Sequence, residues 1–282
     1  MSGYDLHTHT VFSDGTTTPE DNVRDALALG LEGLGVTDHD TTAPIDRARA
    51  AAAGTPLEIV GGTEFSAELD NRSVHVLAYW VDPDDAPLQA EMDRLRNERE
   101  HRAVAIVERF HALGVEVSMD RVRELAGAAP LGRPHIAQAV VETGAAATVS
   151  EVFDTWLADD GPAYVPKHAV DPVTAVRLLV AAGGVAVLAH PGLYGARDEG
   201  EPGIADETVE EMVAAGLAGI EADHPDHTDE HRAHYRDLAR ALGLEVTAGS
   251  DYHGERKANR LGSTTTSREV VERLRERCRV GR

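Results

Sequence analysis

The 282-residue chain contains a single cysteine, Cys278. No disulfide can form within it and no cysteine-based metal site can exist, which fits a reducing cytoplasm. Lysine is almost as scarce: Lys167 and Lys257 stand against 25 arginines among 27 basic residues. Aromatic residues make up 4% and the formal net charge is −22. That balance supplies neither the basic track nor the stacking platforms that long nucleic acids require. No apolar run approaches the roughly 18 residues of a membrane span. The start, Met1-Ser-Gly-Tyr-Asp5, lacks the basic and apolar regions of a secretion signal, so a cytoplasmic location is expected.

Hydrophobic residues make up 42%, enough for one large α/β barrel or two smaller domains. Strand and helix signals alternate. Tyr4-Asp-Leu6 opens as a strand. Thr18-Pro19 caps a helix that ends near Gly30, and Leu34 to Thr37 follows as a strand. Ala43 to Ala53 reads as a helix, Leu57 to Val60 and Arg72 to Val81 as strands. Later strands are expected at 185–189, 219–222 and 245–248, each after an amphipathic helix. This rhythm predicts a parallel sheet, open or closed. Residues 86–168 break it with four helical segments. The expected organisation is a barrel from residues 1–85 and 169–282, with 86–168 as an inserted helical cap.

The 14 histidines are not scattered. His7 and His9 lie two apart at a strand end, where alternation points both to one side. A lone His-x-His is more often incidental. Here Asp14, Asp38-His39-Asp40, Glu64, His190 and Asp251-x-His253 follow, mostly where predicted strands end. That edge of a parallel α/β fold carries the site. His75 lies inside a strand instead. Nine nitrogen and oxygen donors are too many for one ion and suit Zn, Mn or Fe. Asp38 and Asp40 are read as orienting His39 or capping the next helix. His227, His231 and His234 read as a solvated helix face, and His101 and His111 as surface residues. Lys167-His168 and Asn259-Arg260-Leu-Gly262 could each face the site or be solvated loop.

The motifs Asp5-Leu-His-Thr-His9, Ser13-Asp-Gly15, Thr37-Asp-His-Asp40, Gly62-Thr-Glu64, His75, Ala189-His-Pro191 and Ser250-Asp-Tyr-His253 span nearly the whole chain. In that order they resemble the PHP (polymerase and histidinol phosphatase) family of metal-dependent phosphoesterases. The resemblance implies a distorted (β/α)₇ barrel and three divalent metal ions. It assigns one ion to His7, His9, Glu64 and Asp251, a second to Glu64, His75 and His190, and a third to Asp14, His39 and His253. Gly132-Arg-Pro-His135 is similar to a subgroup with an inserted helical domain that acts on nucleoside 3′,5′-bisphosphates and on 5′ ends of short RNA. Arg133 would then contact a substrate phosphate, with His135 beside it. Glu221-Ala-Asp-His224 matches a further pattern, with His224 near the reacting phosphate as a candidate leaving-group acid. The implied reaction is phosphomonoester hydrolysis by a hydroxide shared between ions, the 3′-phosphate of a nucleoside bisphosphate being the expected target.

Three alternatives stand beside this reading. A histidinol-phosphate phosphatase would share the barrel but not the Gly-Arg-Pro-His insert. An amidohydrolase also begins with His-x-His, but many carry a metal-bridging lysine, and neither lysine here sits at a strand end. A noncatalytic metal-stabilised module would be expected to have lost ligands, yet all nine positions are filled.

Overall fold

The structure is a computed structural model. It describes residues 3–70, 72–127, 131–158, 161–166, 170–194 and 203–278. Lys167 and His168 lie outside the described residues. Two compact units emerge, Met1–Met92 with Ala169–Arg282, and Asp93–His168.

The first unit is a distorted barrel. Its strands are β1 (Tyr4–Asp5), β2 (Gly33–Val36), β3 (Glu58–Leu69), β4 (Arg72–Tyr79), β5 (Val185–Leu188), β6 (Gly219–Asp223) and β7 (Glu245–Ala248), hydrogen-bonded in sequence order. Beyond the ends of β1 and β7, Thr8 bridges to Tyr252, and His9 N–H donates to the Tyr252 carbonyl at 2.8 Å. That pairing brings the first and last strands together.

The expectation of a parallel sheet holds on both flanks and fails in the middle. β1, β2 and β3 are mutually parallel, as are β5, β6 and β7, but β4 runs antiparallel to both β3 and β5. The cause is the short connection after Leu69. Asp70 takes a left-handed φ of 49°, and no crossover helix separates β3 from β4. Strands joined by so tight a turn can only pair antiparallel. β3 is also far longer than expected. Glu64 therefore lies inside a strand, opposite Leu77, rather than at a strand end. It nevertheless bridges to His39, just past β2, so it sits level with that rim.

Local chemistry sets the helices. In α1 (Pro19–Leu29) the Thr18 hydroxyl accepts from Asp21 N–H, and the Asp21 carboxylate accepts from Thr18 N–H, while Gly30 closes the helix at φ 72°. α2 (Ile45–Ala52) packs Ile45 and Ala48 with Val23, Leu34 and Val36 in one apolar cluster. A second cluster joins Tyr4, Leu77, Tyr79 and Val187 to Leu274. Among the described residues, no helix is long and apolar enough to cross a membrane.

The helix α3 (Ala86–Ala112) starts where the insertion is expected, but its first turns belong to the barrel unit. Leu88 and Met92 are buried, and Gln89 donates to the Thr42 hydroxyl at 3.0 Å. The second unit holds the rest of α3 with α4 (Met119–Ala126), α5 (Arg133–Glu142), α6 (Val149–Val152) and a π-helical turn at Phe153–Leu157. Phe110, Val122, Ile136, Val140 and Leu157 form its own core.

Candidate metal centre

The barrel collects the expected donors at one place. His7 and His9 follow β1, His39 follows β2, Glu64 and His75 lie in β3 and β4, His190 follows β5, and Asp251 and His253 follow β7. Asp14 lies on the loop between β1 and α1. Three groups have donor atoms mutually within 4.8 Å: His7, His9, Glu64 and Asp251; His39, Glu64 and His75; and His9, Asp14, His39 and His253.

Glu64 is the hub. Its Oε2 lies 3.2 Å from His7 Nε2, 3.0 Å from His9 Nε2 and 3.3 Å from His39 Nδ1. Its Oε1 lies 2.8 Å from His75 Nδ1 and 2.9 Å from His190 Nε2. Burial alone would make this carboxyl hard to ionise, but the imidazoles of His39, His75 and His7 outweigh that and hold it well below the usual range. On the other side, His253 Nε2 lies 3.2 Å from Asp14 Oδ1.

Neighbouring groups fix which ring nitrogen faces the cluster. His253 Nδ1 donates to the Asp251 carbonyl at 2.8 Å, so its Nε2 faces Asp14. His7 Nδ1 lies 3.1 Å from both oxygens of Glu221, so its Nε2 faces Glu64 and Asp251. The same Glu221 carboxylate accepts from His190 N–H at 3.1 Å. His190 takes a left-handed φ of 25° and Asp251 one of 52°. Strained backbone of this kind costs on the order of 1–3 kcal/mol per residue and is held by its surroundings. Here Glu221 pins one such residue while orienting a neighbour.

The donor set fits divalent ions. His7 Nε2 and His9 Nε2 lie 3.1 Å apart, a separation that two bare nitrogens tolerate only with a proton or cation between them. Asp251 Oδ1 and the Nδ1 atoms of His39 and His75 face other donors of the cluster without meeting them in hydrogen-bond geometry. Donors are nitrogen and oxygen throughout, a chemistry suited to Zn, Mn or Fe.

Protonation sets a pH dependence for metal uptake. Burial works against a charged His9, but hydrogen bonds to Asp251 and Glu64 outweigh it and raise the ring to about 9. His7 is likewise raised well above its ordinary value, by Glu221, Glu64 and Asp251 against the effect of burial. Burial instead lowers His39 and His190, which are ready to ligate. Because the folded value for His9 exceeds the unfolded one, its proton stabilises the metal-free fold fully below about pH 6.5, and that contribution is lost through about pH 9. A metal must displace this proton. Affinity for Mn²⁺ is therefore expected to rise from pH 6.5 to about 9, with proton release on binding. Calorimetry in buffers of differing ionisation heat measures both, and a pH-independent affinity would contradict the assignment.

His224 lies just beyond β6, buried, with Nε2 3.4 Å from Asp251 Oδ2. Asp226 N–H donates to its Nδ1 at 3.1 Å. Nδ1 therefore carries no proton, and Nε2 is the N–H that faces the site. This arrangement makes the ring a hydrogen-bond donor toward the cluster. In the helical unit, the half-buried Arg133 donates to the Leu157 carbonyl at 3.2 Å and lies over Phe153 and Tyr164, while His135 Nδ1 accepts from Gly132 N–H.

Several residues behave differently from the sequence expectation. Asp38 accepts from Thr10 and Ser13 on the loop after β1, and Asp40 accepts from Ser66 in β3, so each ties its loop to a neighbouring segment. His227 is not on a solvated face. It is buried, its Nδ1 donates to the Ala222 carbonyl, and its Nε2 accepts from Gly192 N–H. His234 is exposed and paired with Asp206. Three residues at the site were not singled out from sequence. Glu221 is the first. Tyr194 is the second, its hydroxyl accepting from His75 N–H at 2.8 Å. The third is Lys257, whose ammonium lies 2.5 Å from Asp251 Oδ2. An acidic residue preceding a candidate histidine in a strand was the signal available for Glu221. Nothing local marked Tyr194.

Comparison with known proteins gives a consistent picture. Residues 5–143 match the family described as PHP domain. The chain is 35% identical to a phosphoribosyl 1,2-cyclic phosphate 1,2-diphosphodiesterase of Eggerthella lenta, covering 89% of this chain and 94% of that one. It is 30% identical to a 5′-3′ exoribonuclease of Haemophilus influenzae, over 89% of each. It is 31% identical to a 3′,5′-nucleoside bisphosphate phosphatase of Chromobacterium violaceum, over 92% and 90%. Among solved structures, one described as a metal-dependent phosphoesterase from Bifidobacterium adolescentis superposes with a TM-score of 0.77 at 35% identity, covering 98% of this chain and 96% of that one.

Proposed function

The chain belongs to the PHP-domain family of metal-dependent phosphoesterases, and from that premise we propose that it removes the 3′-phosphate from nucleoside 3′,5′-bisphosphates. Short 5′-phosphorylated RNA is the further substrate class, supported by the likeness to an exoribonuclease. The observation that carries the reading is the convergence of five histidines on Glu64, with Asp14, Asp251 and His253 in adjoining groups, in a chain 31% identical to a bisphosphate phosphatase. We assign three divalent ions, Mn, Zn or Fe, to His7, His9, Glu64 and Asp251; to Glu64, His75 and His190; and to Asp14, His39 and His253. His9 and His39 lie close enough to a second group each to contribute to it.

When bound, such ions supply an activated water and offset charge on the phosphate oxygens. The chain's own part is orientation. Glu64, Asp14, Asp251 and Glu221 place negative charge where a phosphate dianion would enter, a charge that bound ions would offset. His224 presents its Nε2–H toward Asp251 and is placed to donate to a phosphate oxygen. Arg133 and His135 are assigned to substrate on the Gly132-Arg-Pro-His135 sequence.

The test is phosphate release from adenosine 3′,5′-bisphosphate, 5′-phosphorylated RNA and histidinol phosphate, with chelator and then Mn²⁺ or Zn²⁺. Because the 35% identical relative acts on a phosphoribosyl 1,2-cyclic phosphate, that ester is the second reading and joins the panel. No metal-dependent release from any ester would refute the enzyme assignment. Arg133→Ala is expected to raise KM for the bisphosphate about tenfold with metal retained. Unchanged kinetic constants would remove Arg133 from the substrate site.

A further inference from the structure

Between His253 and Gly262 the chain reads Gly-Glu-Arg-Lys-Ala-Asn-Arg-Leu. Three cations fall in five residues, in a chain of net charge −22, and they include one of its two lysines. The segment is tied to the site on several sides. Glu255 N–H donates to the Thr16 hydroxyl at 2.9 Å, two residues past Asp14. Gly254 takes φ 69°, and a side chain there would strike that same Thr16 hydroxyl. Asn259 donates to the Asp226 carboxylate at 3.2 Å, two residues past His224, and Gly262 N–H donates to Asp5 at 2.8 Å.

Many surface arginines pair with carboxylates, as Arg47 does with Glu20 and Arg273 with Glu245. Among the described residues, no ion pair or hydrogen bond holds the guanidinium of Arg256 or Arg260, and both are exposed. Lys257 reaches inward, to the Oδ2 of the nearly buried Asp251. The other oxygen of that carboxylate faces His7 and His9 at 3.5 and 3.4 Å. One carboxylate thus spans the metal-capable group and a partly exposed cation. The ammonium sits on a flexible four-carbon stem, so a short swing moves it from carboxylate to an incoming anion.

We propose that the Arg256–Arg260 loop is the phosphate-docking element of this site. Lys257 takes an oxygen of the reacting phosphate, and Arg256 and Arg260 attract a second anionic group on the same substrate. The proposal rests on the phosphoesterase reading and deepens it. Substrates with two phosphoryl groups gain from both parts of the loop, whereas simple monoesters gain only from Lys257. Unpaired exposed cations also speed encounter with a polyanion in a salt-dependent way.

The experiment measures inorganic phosphate binding to the Mn²⁺-loaded protein by calorimetry, with metal content determined on the same samples. Lys257→Gln is expected to bind phosphate about tenfold more weakly at unchanged metal content, and Lys257→Arg to recover most of the loss. Arg256→Gln combined with Arg260→Gln should leave phosphate binding within about twofold. It should weaken adenosine 3′,5′-bisphosphate several-fold and flatten the salt dependence of its kcat/KM. Unchanged phosphate affinity in Lys257→Gln, or a loss that only follows lost metal, overturns the proposal and leaves Lys257 as the counter-charge of Asp251. If the expected binding pattern appears but the wild type cleaves no ester, the functional reading fails and the docking loop stands.

Discussion

Glu64→Gln is expected to abolish metal retention and turnover together while leaving the barrel folded. The substitution keeps the shape of a fully enclosed side chain in the middle of β3 and removes its charge. Five histidines surround that carboxylate at 2.8 to 3.3 Å, and it belongs to two of the three metal-capable groups. An amide offers one weaker acceptor where the two ionised oxygens would hold the assigned ions. The metals are assigned both the nucleophile and the charge compensation, worth several kcal/mol, so kcat/KM should fall at least about a thousandfold. Metal content should drop in parallel. Mn²⁺ at a hundredfold excess over its Kd should stabilise the wild type by about 2.7 kcal/mol. The variant should show little of that shift in its melting temperature. Full metal content with turnover within about tenfold of wild type would exclude Glu64 as a shared ligand.

Substitution of Glu221 has the second largest expected effect, although this residue is not assigned to a metal. Its two oxygens hold His7 Nδ1 and its Oε2 also holds His190 N–H, so one carboxylate aims two of the nine donors. Partners of this kind typically change metal affinity by about 10–100-fold. Glu221→Gln retains an acceptor for His7 but loses the charge that raises its basicity, and about tenfold is expected. Glu221→Ala also leaves the His190 N–H unsatisfied beside a strained backbone, and about a hundredfold is expected. Competition with a fluorescent chelator measures both. Equal affinities for wild type and Glu221→Ala would show that the His7 ring is held by packing alone.

Some elements were legible because their cause is local. Thr18, Pro19 and Gly30 bound α1 through capping and a left-handed closing residue, and short-range spacing suffices to read that. The strand alternation around His7 and His9 is equally local. The direction of β4 was not legible, since a strand's side-chain period is the same in parallel and antiparallel sheets. The turn at Asp70 decided it. Glu64 was expected past a strand end, because the strand is read only over Leu57 to Val60, short of Gly61-Gly62. In the fold those glycines lie within β3, where a side chain on Gly62 would meet the Ala78 carbonyl of β4. His227 resembled a helix-face residue by spacing and is instead locked to two backbone groups on other segments.

Lys257 shows the limit most clearly. By sequence it lies away from any strand end, which argued against a metal-bridging lysine. The loop folds back, and its ammonium meets Asp251.

The sequence by itself determined the donor chemistry: nitrogen and oxygen ligands without sulfur, in the order of a known family, in an acidic chain with one cysteine. Those are properties of side-chain identity and order, which no folding step alters. The tertiary structure decided which donors share a neighbourhood and which nitrogen of His7, His224 and His253 faces it. It also decided which cation comes near. Those depend on hydrogen bonds between residues as far apart as His7 and Glu221, 214 positions along the chain. Closure of the barrel is what brings such pairs within reach.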